Sequence, residues 1–265
     1  MLYKVKPIDL VFDQYGEGGP PMVIVHGLFG YRRNWSGIAR KLSDNFSVTL
    51  PDLRNHGASP QSTPMDIPHL AADLSWLLER QGINSAIFVG HSLGGKAAMW
   101  LALTEPEKVR GFIAVDIAPV TYTHDFDEIF DALRSLDLNN VKNRKDADAQ
   151  LSRHISHAGL RQFLLQNLIY ADHKYAWRVD LDILHQAMPE LLSFPTSGTF
   201  EPYTGPAMFI RAENSKYLLP EHNSVISALF PNAHVELIEN AGHWVNVDQP
   251  ERVLELLRDF LGQCS

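Results

Sequence analysis

The chain has 265 residues, 45% hydrophobic and 20% charged, enough apolar material for one domain with a sizeable core and an insertion. A formal net charge of −8 and a sequence pI near 5.8 argue against a polyanion-binding surface, so no nucleic-acid partner is expected. The basic residues Lys142, Arg144 and Lys145 are interleaved with Asp146 and Asp148 and read as a solvated helix face.

Residues 1–10 alternate charged and apolar side chains without the apolar stretch of a signal peptide, and no run reaches transmembrane length, so a cytoplasmic protein without a membrane partner is expected. Residues 16–21 (Gly-Glu-Gly-Gly-Pro-Pro) form a turn signal between the first strands. Strand-like apolar runs follow at 21–25, 46–50, 86–89, 112–115, 207–210 and 235–238, near-continuously hydrophobic as buried parallel strands are. Between them, 67–80 and 95–103 carry apolar residues at helical spacing, which predicts an α/β sheet covered on both faces. The alternation stops after Asp116 and resumes at Gly205. Residues 121–200 are rich in charge and helix formers, with helical runs at 127–136, 160–168 and 181–192, and predict a helical cap. The core is then 1–120 plus 201–265, and the cap sits over the ligand crevice at the carboxyl edge of the sheet. The lone cysteine, Cys264, has no partner for an internal disulfide.

The chemistry begins at Gly90-His91-Ser92-Leu93-Gly94, between a buried strand and a small-residue helix. This is the spacing of a nucleophile elbow, G-x-S-x-G, in which a sharp turn lifts the serine hydroxyl above the sheet at a helix N-terminus. A tight turn with a serine N-cap gives the same pentapeptide, but a phosphate loop does not fit the glycine spacing. A serine hydroxyl needs a base, and His243 in Asn240-Ala241-Gly242-His243-Trp244 follows the last strand-like run. His154 and His157, three residues apart, lack the companions of a metal site and read as an exposed helix face. No metal or other cofactor is expected. The oxyanion donors are the N–H groups of Leu93 and of Leu28, the latter in Val25-His26-Gly27-Leu28-Phe29-Gly30, where His26 holds the loop.

His26-Gly27, the turn 52–59, Gly90-His91-Ser92-Leu93-Gly94-Gly95 and Gly242-His243-Trp244, in this order, resemble the α/β-hydrolase superfamily along the whole chain. More narrowly, His-Gly-Leu-Phe-Gly, Arg-Asn-His-Gly, Gly-His-Ser-Leu-Gly-Gly-Lys and Val-Asp-Ile-Ala-Pro are similar to YbfF-type bacterial esterases and their animal mitochondrial relatives. The resemblance implies a mostly parallel sheet of about eight strands, a helical cap, and cofactor-free hydrolysis of short acyl esters or thioesters, with a small-molecule substrate as partner. Other hydrolytic chemistry of the fold, perhydrolysis, or a receptor with an idle site are the alternatives.

The third triad member departs from the common Gly-x-x-Asp pattern, since Ser215 stands where the acid is expected. Asp116, ending the strand before the cap, is the candidate acid, and Glu213 the second choice. Phe29 and Trp244 are candidate walls of the acyl pocket. Lys96 reads as pairing a carboxylate near the elbow helix. Arg54 and Asn55 read as turn stabilisers, and Tyr122, Phe126 and Trp177 belong to the cap.

Overall fold

The computed structural model describes residues 5–123, 125–194 and 200–262. Cys264, the start of the N-terminal segment and residues 124 and 195–199 of the insertion lie outside the described residues.

In chain order the first part comprises β1 (Phe12–Tyr15), β2 (Pro21–Val25), α1 (Ser36–Leu42), β3 (Ser47–Pro51), α2 (Ile67–Arg80), β4 (Ala86–His91), α3 (Leu93–Thr104) and β5 (Val109–Val115). The insertion carries α4 (Asp127–Arg134), α5 (Arg144–Leu151), α6 (Ala158–Leu164), a hairpin of β6 (Leu168–Ala171) and β7 (Lys174–Trp177), and α7 (Leu181–Leu192). The chain then returns with β8 (Ala207–Ala212), α8 (Asn223–Leu229), β9 (Ala233–Ile238), α9 (Val245–Asp248) and α10 (Pro250–Leu261).

Among the described residues the central sheet has seven strands, not the eight or so expected, in the order β1-β3-β2-β4-β5-β8-β9. Only β1 runs antiparallel to its neighbour; every other pair is parallel. All six residues of β4 are buried, and alternate residues of the central strands feed two cores. Val23, Val25, Phe88, Phe112 and Phe209 face α2, α3 and the insertion, whereas Met22, Ile24, Val89, Ile113 and Ile210 face α1 and α10. That period of two, on strands covered from both sides, is why they read as unbroken apolar runs.

The insertion differs from the all-helical expectation. Its antiparallel hairpin pairs Leu168 with Trp177 and Ala171 with Lys174. The expected helix at 160–168 breaks at Leu164 into a 3-10 turn before this hairpin. Phe130, Leu133, Leu164 and Leu184 join the core on the α2 and α3 face, so the insertion is packed down on that side of the sheet. No described helix is long and apolar enough to cross a membrane.

Candidate active site

Parallel registry sets the site. Val25 pairs with Gly90, His91 with Val115, and Val115 with Ile210, so β2, β4, β5 and β8 end along one sheet edge. Ser92, immediately after β4, adopts φ 50° and ψ −114°, and its N–H donates to the Val115 carbonyl at 3.0 Å. A left-handed φ on a non-glycine residue costs of order 1–3 kcal/mol and persists only where surrounding structure enforces it. Here the enforcement is backbone packing: a Cβ on Gly90 would lie 2.3 Å from the Gly94 carbonyl oxygen, and one on Gly94 2.5 Å from that of Val25. The glycines of the elbow are therefore steric requirements, and α3 begins directly behind the serine.

Asp116 follows β5, also in the left-handed region (φ 49°), and is fully buried. Its Oδ2 lies 2.7 Å from His243 Nδ1, so the imidazole donates there to the carboxylate. The same carboxylate accepts the Ser215 hydroxyl and, at 3.2 Å, the Ala212 N–H. The serine at the position where the acid is expected thus hydrogen-bonds to the carboxylate of Asp116, just after the neighbouring strand β5. Glu213 points elsewhere: it is exposed, and its Oε2 accepts the Asn240 N–H at 2.7 Å.

Two aromatic rings pack against that of His243. Tyr217 stacks on it with centroids 4.0 Å apart at 27°, and His91 lies 4.7 Å away at 42°. His91 Nε2 also donates to the His243 carbonyl at 2.8 Å, which fixes the backbone of the loop. Burial pushes the His91 pKa down to about 3, so the ring is neutral at pH 7. Neither Tyr217 nor His91 was singled out from sequence for this purpose, and Ser215 was noticed only as a substitute for an acid.

Phe29, also left-handed (φ 59°), is clamped from both sides. Its N–H donates to His56 Nε2 at 3.1 Å, and its carbonyl accepts the Asn167 amide at 2.7 Å. The Phe29 N–H is thereby occupied, while Leu28 and Leu93 have no protein acceptor for theirs among the described residues. His26 holds the loop as expected, with Nδ1 donating to the Gly27 carbonyl and Nε2 accepting the Leu53 N–H. Burial lowers the pKa of His26 to about 4 and, with the neighbouring His26, that of His56 to about 3. Arg54 and Asn55 are the turn stabilisers expected: Arg54 forms a buried fork with Asp73 at 2.7 Å, and Asn55 bonds Ser62.

Ser92, His243, Leu28, Leu93, Phe29 and Trp244 line one cavity of about 240 Å³. Much of its wall is hydrocarbon from the insertion, including Phe126, Ile129, Leu160, Met188 and Leu191, and Tyr122 also faces it. Trp177 is not among the lining; its indole N–H donates to the Leu133 carbonyl within the insertion. Lys96 corrects the sequence reading, because its partner is no carboxylate. Its buried ammonium donates to the carbonyls of Leu191 (3.2 Å), Leu192 (2.6 Å) and Ser193 (3.0 Å) and lies 4.9 Å from the Tyr122 ring centroid. Burial pulls its pKa down to about 7, while three carbonyls at the negative end of α7 favour the charged form. His154 and His157 share no helix face: His154 is an exposed turn residue, and His157 caps α6 by accepting the Leu160 N–H. No group of three or more His, Cys, Asp or Glu residues that could hold a metal occurs among the described residues.

A strand-elbow-helix with a buried carboxylate and a histidine at the same edge of a parallel sheet is the architecture of a hydrolase class, and the comparisons agree. The α/β-hydrolase fold family matches residues 20–250, and the chain belongs to that family. Within it the chain is 38% identical to the sn-1-specific diacylglycerol lipase ABHD11 of Xenopus tropicalis, covering 98% of this chain and 84% of the relative. It is 35% identical to esterase YbfF of Escherichia coli, covering 94% and 95% respectively. A solved marine microorganism esterase superposes with a TM-score of 0.92 at 36% identity, covering 96% of this chain and 99% of its own. The resemblance to YbfF-type esterases thus holds over nearly the whole chain.

Proposed function

We propose that the chain hydrolyses short-chain carboxylic esters, and acyl thioesters of similar size, through Ser92, His243 and Asp116. The observation that carries this reading is the 2.7 Å contact of His243 Nδ1 with the buried Asp116, at a ring that shares a cavity with an elbow serine and two N–H groups that have no acceptor among the described residues. Ester hydrolysis also agrees with the esterase and lipase names of the relatives.

His243, held in one tautomer by Asp116, takes the Ser92 proton as the oxygen attacks the acyl carbon. Leu28 and Leu93 donate to the oxyanion, where preorganised donors in a low-dielectric site are worth several kcal/mol. The alcohol or thiol leaves with the proton from His243, and water activated by the same ring releases the acid. Residues 121–200 act as a cap over the 1–120 and 201–265 core, providing the apolar acyl wall.

Turnover of p-nitrophenyl esters from acetyl to palmitoyl, with acyl-CoA thioesters alongside, tests the reading on wild type and Ser92→Ala. Short-chain turnover should fall at least about 10⁴-fold in the variant, with the melting curve unchanged. Equal rates in both proteins remove Ser92 as nucleophile, and absence of fluorophosphonate labelling in wild type removes the activated serine altogether.

A further inference from the structure

Leu28, the proposed oxyanion donor, sits in a loop after β2 that no strand pairing holds. What aims its N–H can be followed peptide by peptide. A trans peptide is planar, so its carbonyl and its N–H point in opposite directions. The Gly27–Leu28 peptide accepts at its carbonyl, from the Gly30 N–H at 2.9 Å and from His26 Nδ1 at 2.8 Å, and its own N–H therefore leaves on the far side. The Leu28–Phe29 peptide is fixed by its N–H on His56 Nε2. The Phe29–Gly30 peptide is held at both ends: its N–H is the donor to Gly27, and its carbonyl accepts Asn167 Nδ2 at 2.7 Å. A Cβ on Gly30 would stand 2.9 Å from the Gly27 carbonyl oxygen, so only glycine lets the turn close this tightly.

These bonds form one chain. It runs from the Asn167 amide to the Phe29 carbonyl, from the Gly30 N–H to the Gly27 carbonyl, and ends at the Leu28 N–H, in the wall of the cavity that holds Ser92. Hydrogen bonds in series polarise one another, so each link makes the terminal N–H a stronger donor. Asn167 starts the chain from the insertion. It closes the 3-10 turn Leu165–Asn167, is buried, and leaves its Oδ1 without a partner among the described residues. A buried acceptor without a partner is destabilising, so the donor end, rather than packing, accounts for an asparagine there. The neighbouring Gln166 also reaches the loop, its Oε1 accepting Asn34 Nδ2 at 2.7 Å, but Asn34 stands outside the chain of peptides.

Resting on the hydrolase reading above, we infer that Asn167 is a positioning residue of the oxyanion site, orienting and polarising the Leu28 N–H through two peptide groups. The insertion then belongs to the catalytic apparatus as well as to the wall of the acyl pocket. As the bond from Ser92 Oγ to the acyl carbon forms, the serine proton goes to His243 and the carbonyl π pair moves onto oxygen. The chain from Asn167 answers that charge. Bound substrate carries little of it, so Asn167 acts on kcat and barely on KM.

The test sets Asn167→Leu, which keeps the bulk and removes the donor, beside Gln166→Leu, which cuts the adjacent tether to the same loop. With p-nitrophenyl butyrate, Asn167→Leu should lose about 10-fold or more in kcat with KM within about 2-fold, and Gln166→Leu should stay within about 2-fold in both. Inhibition separates charge from shape, because butyl trifluoromethyl ketone forms a tetrahedral oxyanion on a serine and butyl methyl ketone does not. Asn167→Leu should weaken the first about 10-fold and leave the second unchanged. Equal losses in the two variants, or equal weakening of the two ketones, overturns the inference. A wild-type preference for the trifluoromethyl ketone that Asn167→Leu retains removes the relay alone; no preference in wild type removes the activated serine and the relay with it. Should Asn167→Leu fail to fold, NMR of wild type decides: on binding the trifluoromethyl ketone, the Gly30 amide and Asn167 side-chain protons should move downfield together with the Leu28 amide proton. Movement of Leu28 alone overturns the inference.

Discussion

The elbow and the insertion build opposite sides of one cavity by different means. On the elbow side, backbone meets backbone: Gly94 sits against the Val25 carbonyl, and Ser92 and Asp116 take positive φ where β4 and β5 end. On the insertion side the wall is made of side chains such as Leu160, Met188 and Leu191, tied to the core by polar contacts that include Lys96 with the end of α7 and Asn167 with Phe29. Chemistry that needs placement within fractions of an ångström rests on the rigid side, and the surface that meets the variable part of a substrate rests on the exchangeable side.

The sharpest test of the rigid side is Asp116→Asn. Asparagine tolerates the left-handed conformation, so the substitution removes charge with little backbone cost, and kcat should fall about 10³- to 10⁴-fold. Glu213→Gln, at a residue that only tethers Asn240, should stay within about 2-fold; steady-state kinetics giving the reverse ranking would move the acid. Gly94→Ala should cost about 3 kcal/mol or more, because the new methyl meets carbonyls that cannot shift, and urea unfolding measures it. If it folds as well as wild type, the backbone-to-backbone account of the elbow is wrong.

On the other side, Lys96→Met keeps the bulk of the side chain and strips three carbonyls of their donor. A loss of about 2 kcal/mol in the same experiment is expected, with a larger change in KM than in kcat as the insertion wall loosens. The neutral histidines under the site add a pH effect that is gradual per pH unit. Their folded pKa values, about 4 for His26 and about 3 for His56 and His91, lie below the ordinary 6.5. Between those values the unfolded chain binds protons that the folded chain refuses, so stability is complete above pH 6.5 and declines as pH falls toward 4. The slope is about 1.4 kcal/mol per pH unit for each histidine. Melting temperatures that stay flat from pH 7 to 4.5 would contradict this.

What was legible in the sequence follows the same division. The elbow glycines, the Gly27 loop and His243 could be found because steric and chemical demands there act on residues close in the chain. Short central strands were readable because burial on both faces makes them continuously apolar. Edge strand β1 was signalled only by the turn at 16–21 that follows it, since Phe12–Tyr15 alternates exposed and half-buried residues without an apolar run. The hairpin of the insertion had no signal, its two four-residue strands sitting among strong helix formers. Asp116 could be nominated by its place after a strand, but its bond to Ser215 joins residues 99 positions apart, and the stack of Tyr217 and His91 on His243 is likewise created only by the fold.

One consequence follows from where the insertion leaves the sheet. It departs after β5 and returns at β8, so the Gly27–Phe29 loop, Ser92 and Asp116 all precede it, and Ser215, Tyr217 and His243 all follow it. A chain emerging from the ribosome therefore carries its proposed nucleophile and acid well before its base. On that proposal the serine is an ordinary hydroxyl throughout synthesis of the insertion, its reactivity waiting until the last strands have closed the sheet around a finished pocket.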